Sequence, residues 1–268
     1  SNSGSSSNSG STSNSCSSSN SGSTSNSGSS SNSGSTSNGG SSSNSGNSTS
    51  VGGSQSAESY NSLKYLLYVP ANVSSNTPVI VFLHGAGENG TNLNLVKTWG
   101  LPKAIESGYK PNAIVISPQC PTDYTWKTST VARNVKGIID SVVTKYKANP
   151  NKVSVTGFSM GGYGVISMIA AYPTTFSSGV VISGGVSSVS TTNYPKVPIK
   201  FFVGSSEGSN IENLRKMYDA LVKVNGSSKY TFTIINGKNH SGMVGSNGYN
   251  IYTDSTYGVV NWMTRQTR

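Results

Sequence analysis

The chain has 268 residues, with 19 lysine and arginine side chains against 9 acidic ones and a formal net charge of +10. The lysines are scattered, and the sequence contains no basic run and no stacking motif, so a nucleic-acid partner is disfavoured. It also contains no apolar run of about 18 residues and no signal peptide. We therefore expect a soluble, mature or cloned fragment without a membrane partner.

The first 50 residues consist of Ser, Asn, Gly and Thr with one cysteine, Cys16, and they repeat in units of 12 residues. A segment without apolar side chains cannot offset its conformational entropy by burial, so we predict a disordered linker over residues 1–56. Residues 57–268 suit one folded domain, which we expect to be monomeric, with Cys120 as an unpaired thiol. Linkers of this composition join modules, so we expect that a binding or docking module preceded this domain in a secreted protein.

Apolar, β-branched runs bounded by turn residues recur along the domain and predict strands. Helical patterns over residues 131–146 and 211–224 lie between them, and the second opens with a capping box of Ser209 and Glu212. Strands that alternate with helices over short connections indicate an α/β fold with a mostly parallel sheet covered by helices on both faces. The predicted strands are 63–69, 78–83, 113–117, 152–157, 179–183, 199–204 and 230–235.

Two stretches fit the pattern GxSxG, "GFSMG" at 157–161 and "GSSEG" at 204–208. Both follow a predicted strand, where the functional loops of a parallel sheet gather, so position alone does not separate them. A nucleophilic serine on a strand-to-helix turn needs small neighbours and a helix that begins at once. Ser159 meets both requirements, whereas the helical pattern after Ser206 begins several residues later. We therefore predict that Ser159 is a nucleophile and that Ser206 is a loop residue.

The order of residues along the chain tests this interpretation independently. If the turn resembles that of an α/β-hydrolase, the nucleophile is expected first along the chain, an acid second and a histidine last. The sequence contains two histidines, His84 and His240, and only His240 follows Ser159, so we assign it as the general base. Glu207, in the loop after the strand 199–204, is the predicted acid. Other acids that we considered are Glu212, Asp219 and Asp254.

Two backbone N–H groups are predicted to stabilise the negative charge that forms on an attacked carbonyl oxygen. One belongs to Met160, directly after the nucleophile, and the other belongs to Ala86 in the loop "HGAG". His84, in the same loop, is expected to bond the backbone of that loop. The histidines lie far apart in the sequence and no cysteine cluster accompanies them, so we predict no metal site and no cofactor.

The motifs "VIVFLHGAGENG", "ISPQCP" followed by Trp126, "GFSMGGYG" and "NHSG" together resemble the esterase branch of the α/β-hydrolase superfamily. That branch includes family-one carbohydrate esterases, which are feruloyl and acetylxylan esterases, and proteins similar to polyhydroxyalkanoate depolymerases. The resemblance covers about residues 60–266 and implies an α/β-hydrolase fold. The sequence departs from the family's pattern at Glu207, where aspartate is more usual.

The segment between Ile182 and Ile199 is short and rich in Ser and Thr, so we expect no large cap domain and an open cleft. An open cleft suits an ester on a polymer, and a tethered binding module suits insoluble polysaccharide. Trp126 and Tyr163 are predicted to bind the substrate as an aromatic wall. Trp99 and Tyr124 are further candidates for the same wall, and Trp99 is expected to support the fold instead.

These observations and the resemblance predict a secreted serine esterase that removes acyl groups, feruloyl ahead of acetyl, from plant cell-wall polysaccharide such as xylan. The alternatives within enzymes are a polyester depolymerase, a broad carboxylesterase for small esters and a serine peptidase. Outside enzymes, the alternative is a silent hydrolase fold that binds carbohydrate. The intact set of Ser159, Glu207 and His240 disfavours a silent fold.

Overall fold

The computed structural model describes residues 53–184 and 197–268 of the chain. A single eight-stranded sheet runs through this part. Its strands are β1 (Gln55–Tyr60), β2 (Leu63–Tyr68), β3 (Val79–Leu83), β4 (Ile114–Pro118), β5 (Val153–Phe158), β6 (Ser178–Ile182), β7 (Ile199–Gly204) and β8 (Tyr230–Ile235). Their spatial order is β1-β2-β4-β3-β5-β6-β7-β8. Strands β3 to β8 pair in parallel, whereas β2 pairs antiparallel with both β1 and β4. The predicted mostly parallel sheet is confirmed.

Helices cover both faces of the sheet, as the sequence predicted. The α-helices of the described residues are α1 (Gly100–Glu106), α2 (Ser129–Tyr146), α3 (Met160–Ala171), α4 (Ser209–Asn225) and α5 (Val259–Arg265). Val79 and Val81 of β3 pack in one apolar core with α2, α3 and α4. Ile80 and Phe82, which alternate with them, pack in a second core with α1 and α5. Because β3 is buried on both faces, its sequence is a continuous apolar run.

The sequence located seven of the strands to within one residue at each end and missed β1. This edge strand has the polar sequence "QSAESY" and is only partly buried, so it lacks the apolar run that marks the others. It begins at Gln55, two residues before the predicted start of the domain. Residues 1–52, which hold most of the predicted linker, lie outside the described residues.

The predicted capping box at the start of α4 is wrong. Gly208 is the N-terminal cap, with a φ of 56°, and no side chain caps the helix. Ser209 is already the first helical residue, so its hydroxyl is one position too late to cap. The positive φ of a glycine lets the chain turn from the loop directly into the helix.

The loops that follow β3, β5, β7 and β8 meet at the carboxyl edge of the parallel strands, and they carry every predicted catalytic residue. The segment between β6 and β7, from which an open cleft was predicted, lies largely outside the described residues. Among the residues that the structure describes, no helix is long and apolar enough to cross a membrane.

Candidate active site

Ser159 occupies a sharp turn between a strand and a helix. β5 ends at Phe158, α3 begins at Met160, and Ser159 between them has a φ of 56° and a ψ of −118°. A non-glycine residue rarely adopts a positive φ, and strain of about 1–3 kcal/mol persists only where the surroundings enforce it. The Ser159 N–H donates to the carbonyl of Ile182 over 2.9 Å, which ties the turn to the end of β6. The predicted strand-to-helix turn is therefore present.

Glycines allow the backbone of this turn to approach its neighbours closely. A Cβ atom on Gly161 would overlap the carbonyl oxygen of Leu83, and one on Gly157 would overlap the carbonyl of Gly161. A Cβ atom on Gly162 would lie 2.7 Å from the Cα atom of Gly184, just after β6. The second GxSxG match differs, because Ser206 lies in an exposed loop before α4, as predicted.

Glu207 is an acid with a nearly inaccessible side chain, only 1% exposed, in the loop after β7. Its Oε1 atom accepts hydrogen bonds from the Ser183 hydroxyl at 2.6 Å and the Gly204 N–H at 2.7 Å. Its Oε2 atom accepts from His240 Nδ1 at 2.7 Å and from Asn210 Nδ2 at 2.8 Å. Burial alone would raise the pKa of Glu207, but these four hydrogen bonds, with the largest effect from His240, hold the pKa below its ordinary value.

His240 follows β8 and lies beside the serine turn. Its Nδ1–H donates to the anionic Glu207, which leaves Nε2 on the far side of the ring free to accept a proton. The imidazole packs on the ring of Phe158, with 4.7 Å between the ring centroids, and Phe158 directly precedes Ser159. The side chain is 47% exposed, so the base is accessible to a substrate from solvent.

Of the described carboxylates, Glu207 is the one that pairs with His240. Glu212 and Asp219 lie within α4, and Asp254 accepts a hydrogen bond from the N–H of Thr256 at 2.8 Å. The structure thus brings together the acid and the histidine that the sequence proposed. The sequence did not reveal Ser183 and Asn210 as partners of the acid. The only sequence signal for Asn210 is its position three residues after Glu207 in the same loop and helix start.

The loop after β3 approaches the serine turn from the other side. A Cβ atom on the buried Gly85 would lie 3.5 Å from the Cβ atom of Ser159. Ala86 begins a short 3₁₀ helix over Ala86–Glu88 and is exposed, and Met160 begins α3. The first N–H groups of a helix have no partner within that helix, so the N–H groups of Ala86 and Met160 are available near Ser159.

His84 supports this loop from within the core, as the sequence predicted. Its Nε2 atom accepts a hydrogen bond from the Cys120 N–H at 2.9 Å, so Nε2 carries no proton. Its Nδ1–H therefore donates to the Gly85 carbonyl over 2.6 Å. Burial lowers the pKa of His84 to about 4, which keeps the ring neutral at neutral pH.

The prediction that Trp126 lines the substrate cleft is wrong. Its side chain is only 1% exposed, and its indole Nε1–H donates to the carbonyl of His84 over 2.9 Å. The rings of the two residues pack edge to face with 4.9 Å between centroids. Close contact with the backbone of Gly164 on α3 completes the enclosure. Trp126 therefore buttresses the loop that carries Ala86.

The other aromatic candidates differ in accessibility. Tyr163 lies on α3 one turn after Ser159, is half-buried, and has the ammonium of Lys127 5.6 Å from its ring centroid. Tyr124 is 46% exposed. Trp99 is half-buried against the core formed with α1 and α5, in agreement with a role in the fold.

A serine on a strained strand-to-helix turn, with an acid and histidine pair on loops at the same edge of a mostly parallel sheet, defines an α/β-hydrolase. The chain belongs to the esterase family of carboxylic ester hydrolases: residues 56–243 match the family described as "Putative esterase". The fold is similar to a crystal structure of a thermostable esterase, with a TM-score of 0.62, 25% identity and coverage of 80% of this chain and 63% of that chain.

Two curated fungal proteins are similar to part of the chain. One is "Probable acetylxylan esterase A" of Aspergillus clavatus, 34% identical over 132 residues, which are 44% of this chain and 40% of that protein. The other is "Feruloyl esterase B" of Talaromyces funiculosus, 28% identical over 134 residues, which are 46% of this chain and 36% of that protein. The chain therefore matches less than half the length of each of these two relatives.

Proposed function

We propose that the chain is a serine esterase in which Ser159, His240 and Glu207 form a catalytic triad. The observation that carries this proposal is the 2.7 Å hydrogen bond between His240 Nδ1 and Glu207 Oε2 beside the strained serine turn. A serine hydroxyl is a weak nucleophile until a base takes its proton. The buried carboxylate holds the imidazole in the tautomer whose Nε2 is that base, and it stabilises the imidazolium that forms.

The reaction then follows from the roles of the groups. As Ser159 Oγ attacks the ester carbonyl, its proton passes to His240 Nε2 and the carbonyl oxygen becomes an oxyanion. The N–H groups of Met160 and Ala86 stabilise that oxyanion, and the loss of one such donor typically lowers kcat by about 10²–10³. The intermediate collapses to an acyl-enzyme while the imidazolium returns the proton to the leaving alcohol. Water, deprotonated by the same imidazole, releases the acid and restores Ser159.

The substrate that we propose is an acyl ester on xylan or a similar plant cell-wall polysaccharide. The similarity to an acetylxylan esterase and a feruloyl esterase supports this class. A Ser-rich segment ahead of the domain supports a tethered binding module and a secreted protein, because tethering raises the local concentration of an enzyme at an insoluble polymer. Detection of the protein in the culture medium of its source would test secretion.

Between the two acyl groups we place acetyl first. The sequence predicts feruloyl ahead of acetyl and an aromatic wall that includes Trp126, but the ring of Trp126 is buried. The half-buried Tyr163, one turn after Ser159, still offers an aromatic ring for a feruloyl group. The 34% identical relative carries an acetylxylan name. Feruloyl cleavage stays a prediction that the same assay tests.

The experiment measures acetate and ferulate released from acetylated xylan and feruloylated arabinoxylan by the wild type, Ser159→Ala and Ser206→Ala. Ser206→Ala is the matched control, because Ser206 occupies the same position in the second GxSxG match but lies in an exposed loop. Release by the wild type and Ser206→Ala, but not by Ser159→Ala, supports both the nucleophile and the substrate class.

Cleavage of p-nitrophenyl acetate without release from either polymer would overturn the xylan assignment and favour a polyester depolymerase or a broad carboxylesterase. A fluorophosphonate probe separates an enzyme from a silent fold. Equal labelling of the wild type and Ser159→Ala, or labelling of neither, would overturn the proposed triad.

A further inference from the structure

The Glu207 carboxylate is held by more groups than the triad requires. Two of its four hydrogen bonds come from the side chains of Ser183 and Asn210, which lie on different elements of the fold. A glutamate side chain loses more rotamer entropy when it is fixed than a shorter aspartate loses. Additional donors are therefore needed to hold a glutamate in a single orientation toward His240.

Ser183 follows β6 in a strained backbone conformation. It has a φ of 52° and is 2% exposed, and its N–H donates to the Phe202 carbonyl over 2.9 Å. This conformation directs the hydroxyl to Glu207 Oε1 at 2.6 Å. A strained non-glycine residue that donates to a buried carboxylate has a geometry that the fold enforces, and such strain gathers at functional sites.

The Asn210 side chain connects Ser183 to Glu207 through hydrogen bonds. One Nδ2–H donates to the Ser183 carbonyl over 3.0 Å and the other donates to Glu207 Oε2 over 2.8 Å. Both acceptors are oxygens that cannot donate, so the orientation of the amide is defined. The amide therefore links the end of β6 to the acid loop at the beginning of α4.

The end of β6 also holds the serine turn. The carbonyl of Ile182 accepts the Ser159 N–H, and Gly184 packs on the backbone of Gly162. Ser183 lies between these two contacts. One short segment, 182–184, is thus bonded both to the nucleophile's turn and to the acid that orients the base.

We propose that Ser183 and Asn210 are positioning residues that fix the Glu207 carboxylate and through it the orientation of His240 relative to Ser159. The proposal rests on the triad proposed above. The two donors also disperse the negative charge of the Glu207 carboxylate. His240 is the titratable group that contacts this carboxylate. Removal of either donor leaves the anion more mobile and more attractive to the imidazolium, so the base is misdirected and remains protonated to higher pH.

The test uses Ser183→Ala, Asn210→Ala and Asn210→Asp, with Asn213→Ala, one turn along the same helix, as the matched control. We expect Ser183→Ala and Asn210→Ala to lower kcat for p-nitrophenyl acetate by about 10- to 100-fold with little change in KM. Asn210→Asp adds a second carboxylate beside the first. It should move the acid limb of the kcat/KM profile to higher pH by roughly half a unit to one unit.

A readout independent of activity is the NMR titration of the histidine ring protons. The chain has two histidines, and the buried His84 ring is the one whose pKa is lowered to about 4, so the two titrations separate. We expect the midpoint of the His240 titration to rise in Ser183→Ala and Asn210→Ala, which each remove one donor from the Glu207 anion without adding a charge, and to stay unchanged in Asn213→Ala. The Tm of each variant shows whether it is folded.

Folded Ser183→Ala and Asn210→Ala variants with wild-type kcat and an unmoved His240 titration would overturn the proposal. A loss of kcat/KM that only follows a lower Tm, without a shift of the titration, would also overturn it. Failure of the proposed function is seen separately, as activity retained by Ser159→Ala. The histidine titration decides the positioning role even then.

Discussion

Replacement of Trp126 by phenylalanine tests whether this residue supports the loop of Ala86 or binds substrate. The change removes the indole N–H from the 2.9 Å hydrogen bond to the buried His84 carbonyl. An unsatisfied buried acceptor costs about 1–3 kcal/mol, and the smaller ring adds about 1 kcal/mol for the space that it leaves. We therefore expect the free energy of unfolding to fall by about 2–4 kcal/mol.

Two measurements are combined: Tm from thermal unfolding, and kcat and KM for ester hydrolysis at a temperature well below Tm. A domain of this size loses about 2–4 °C in Tm for each kcal/mol, so the Tm should drop by roughly 4–16 °C. Tyr124→Phe, at a side chain that is 46% exposed, is the control and should leave Tm unchanged. We expect kcat to fall while the ratio of kcat/KM for aryl and acetyl esters stays constant. An unchanged Tm with a higher KM for aryl esters alone would refute the structural role.

Burial raises the pKa of Glu88, so the folded protein holds the proton of this carboxyl more tightly than the unfolded chain does. Glu88→Gln should therefore raise Tm above pH 4.5. The gain in Tm should vanish at lower pH, where the carboxyl is protonated in both the folded and the unfolded state. Equal Tm values for the two proteins at pH 7 would contradict this. Gly161→Ala should prevent folding, because its Cβ atom would overlap a backbone carbonyl, whereas Gly87→Ala, which has open space at that position, should keep the wild-type Tm within about 1 °C. Cys120 is inaccessible, and burial raises its pKa to about 12. In a Cys16→Ser background, iodoacetamide at pH 8 should therefore label the protein only after unfolding. Mass spectrometry of the intact native protein checks this.

Elements with strong local patterns could be predicted from the sequence. β3 is visible as "VIVFL" because a strand covered on both faces must be apolar throughout, and α2 is visible because one face of a long helix is buried. β1 was missed because an edge strand with a polar sequence owes its pairing to its neighbour and not to its own burial. The beginning of α4 was misjudged because the turn at Gly208 makes a side-chain cap unnecessary.

The residues of the candidate site also fall into those that the sequence predicts and those that it does not. Ser159 was predictable because a strained turn needs glycines at fixed offsets, and His240 because the sequence holds a single histidine after it. Ser183 was not predictable as a partner of Glu207, because only the folded sheet brings the end of β6 to the acid loop. Asn210 lies three residues after Glu207, but no pattern of the sequence marks its amide as a link between that acid and Ser183.

The sequence by itself therefore determined the fold class, the serine turn and the identity of the histidine, since these depend on local spacing and on which residue types are present. The tertiary structure decided which of several carboxylates pairs with His240 and that Trp126 is enclosed instead of exposed to a cleft. The burial and hydrogen bonding of these side chains depend on residues 24 to 42 positions away, as the bonds of Glu207 to Ser183 and His240 and of Trp126 to His84 illustrate, and no local pattern records such contacts.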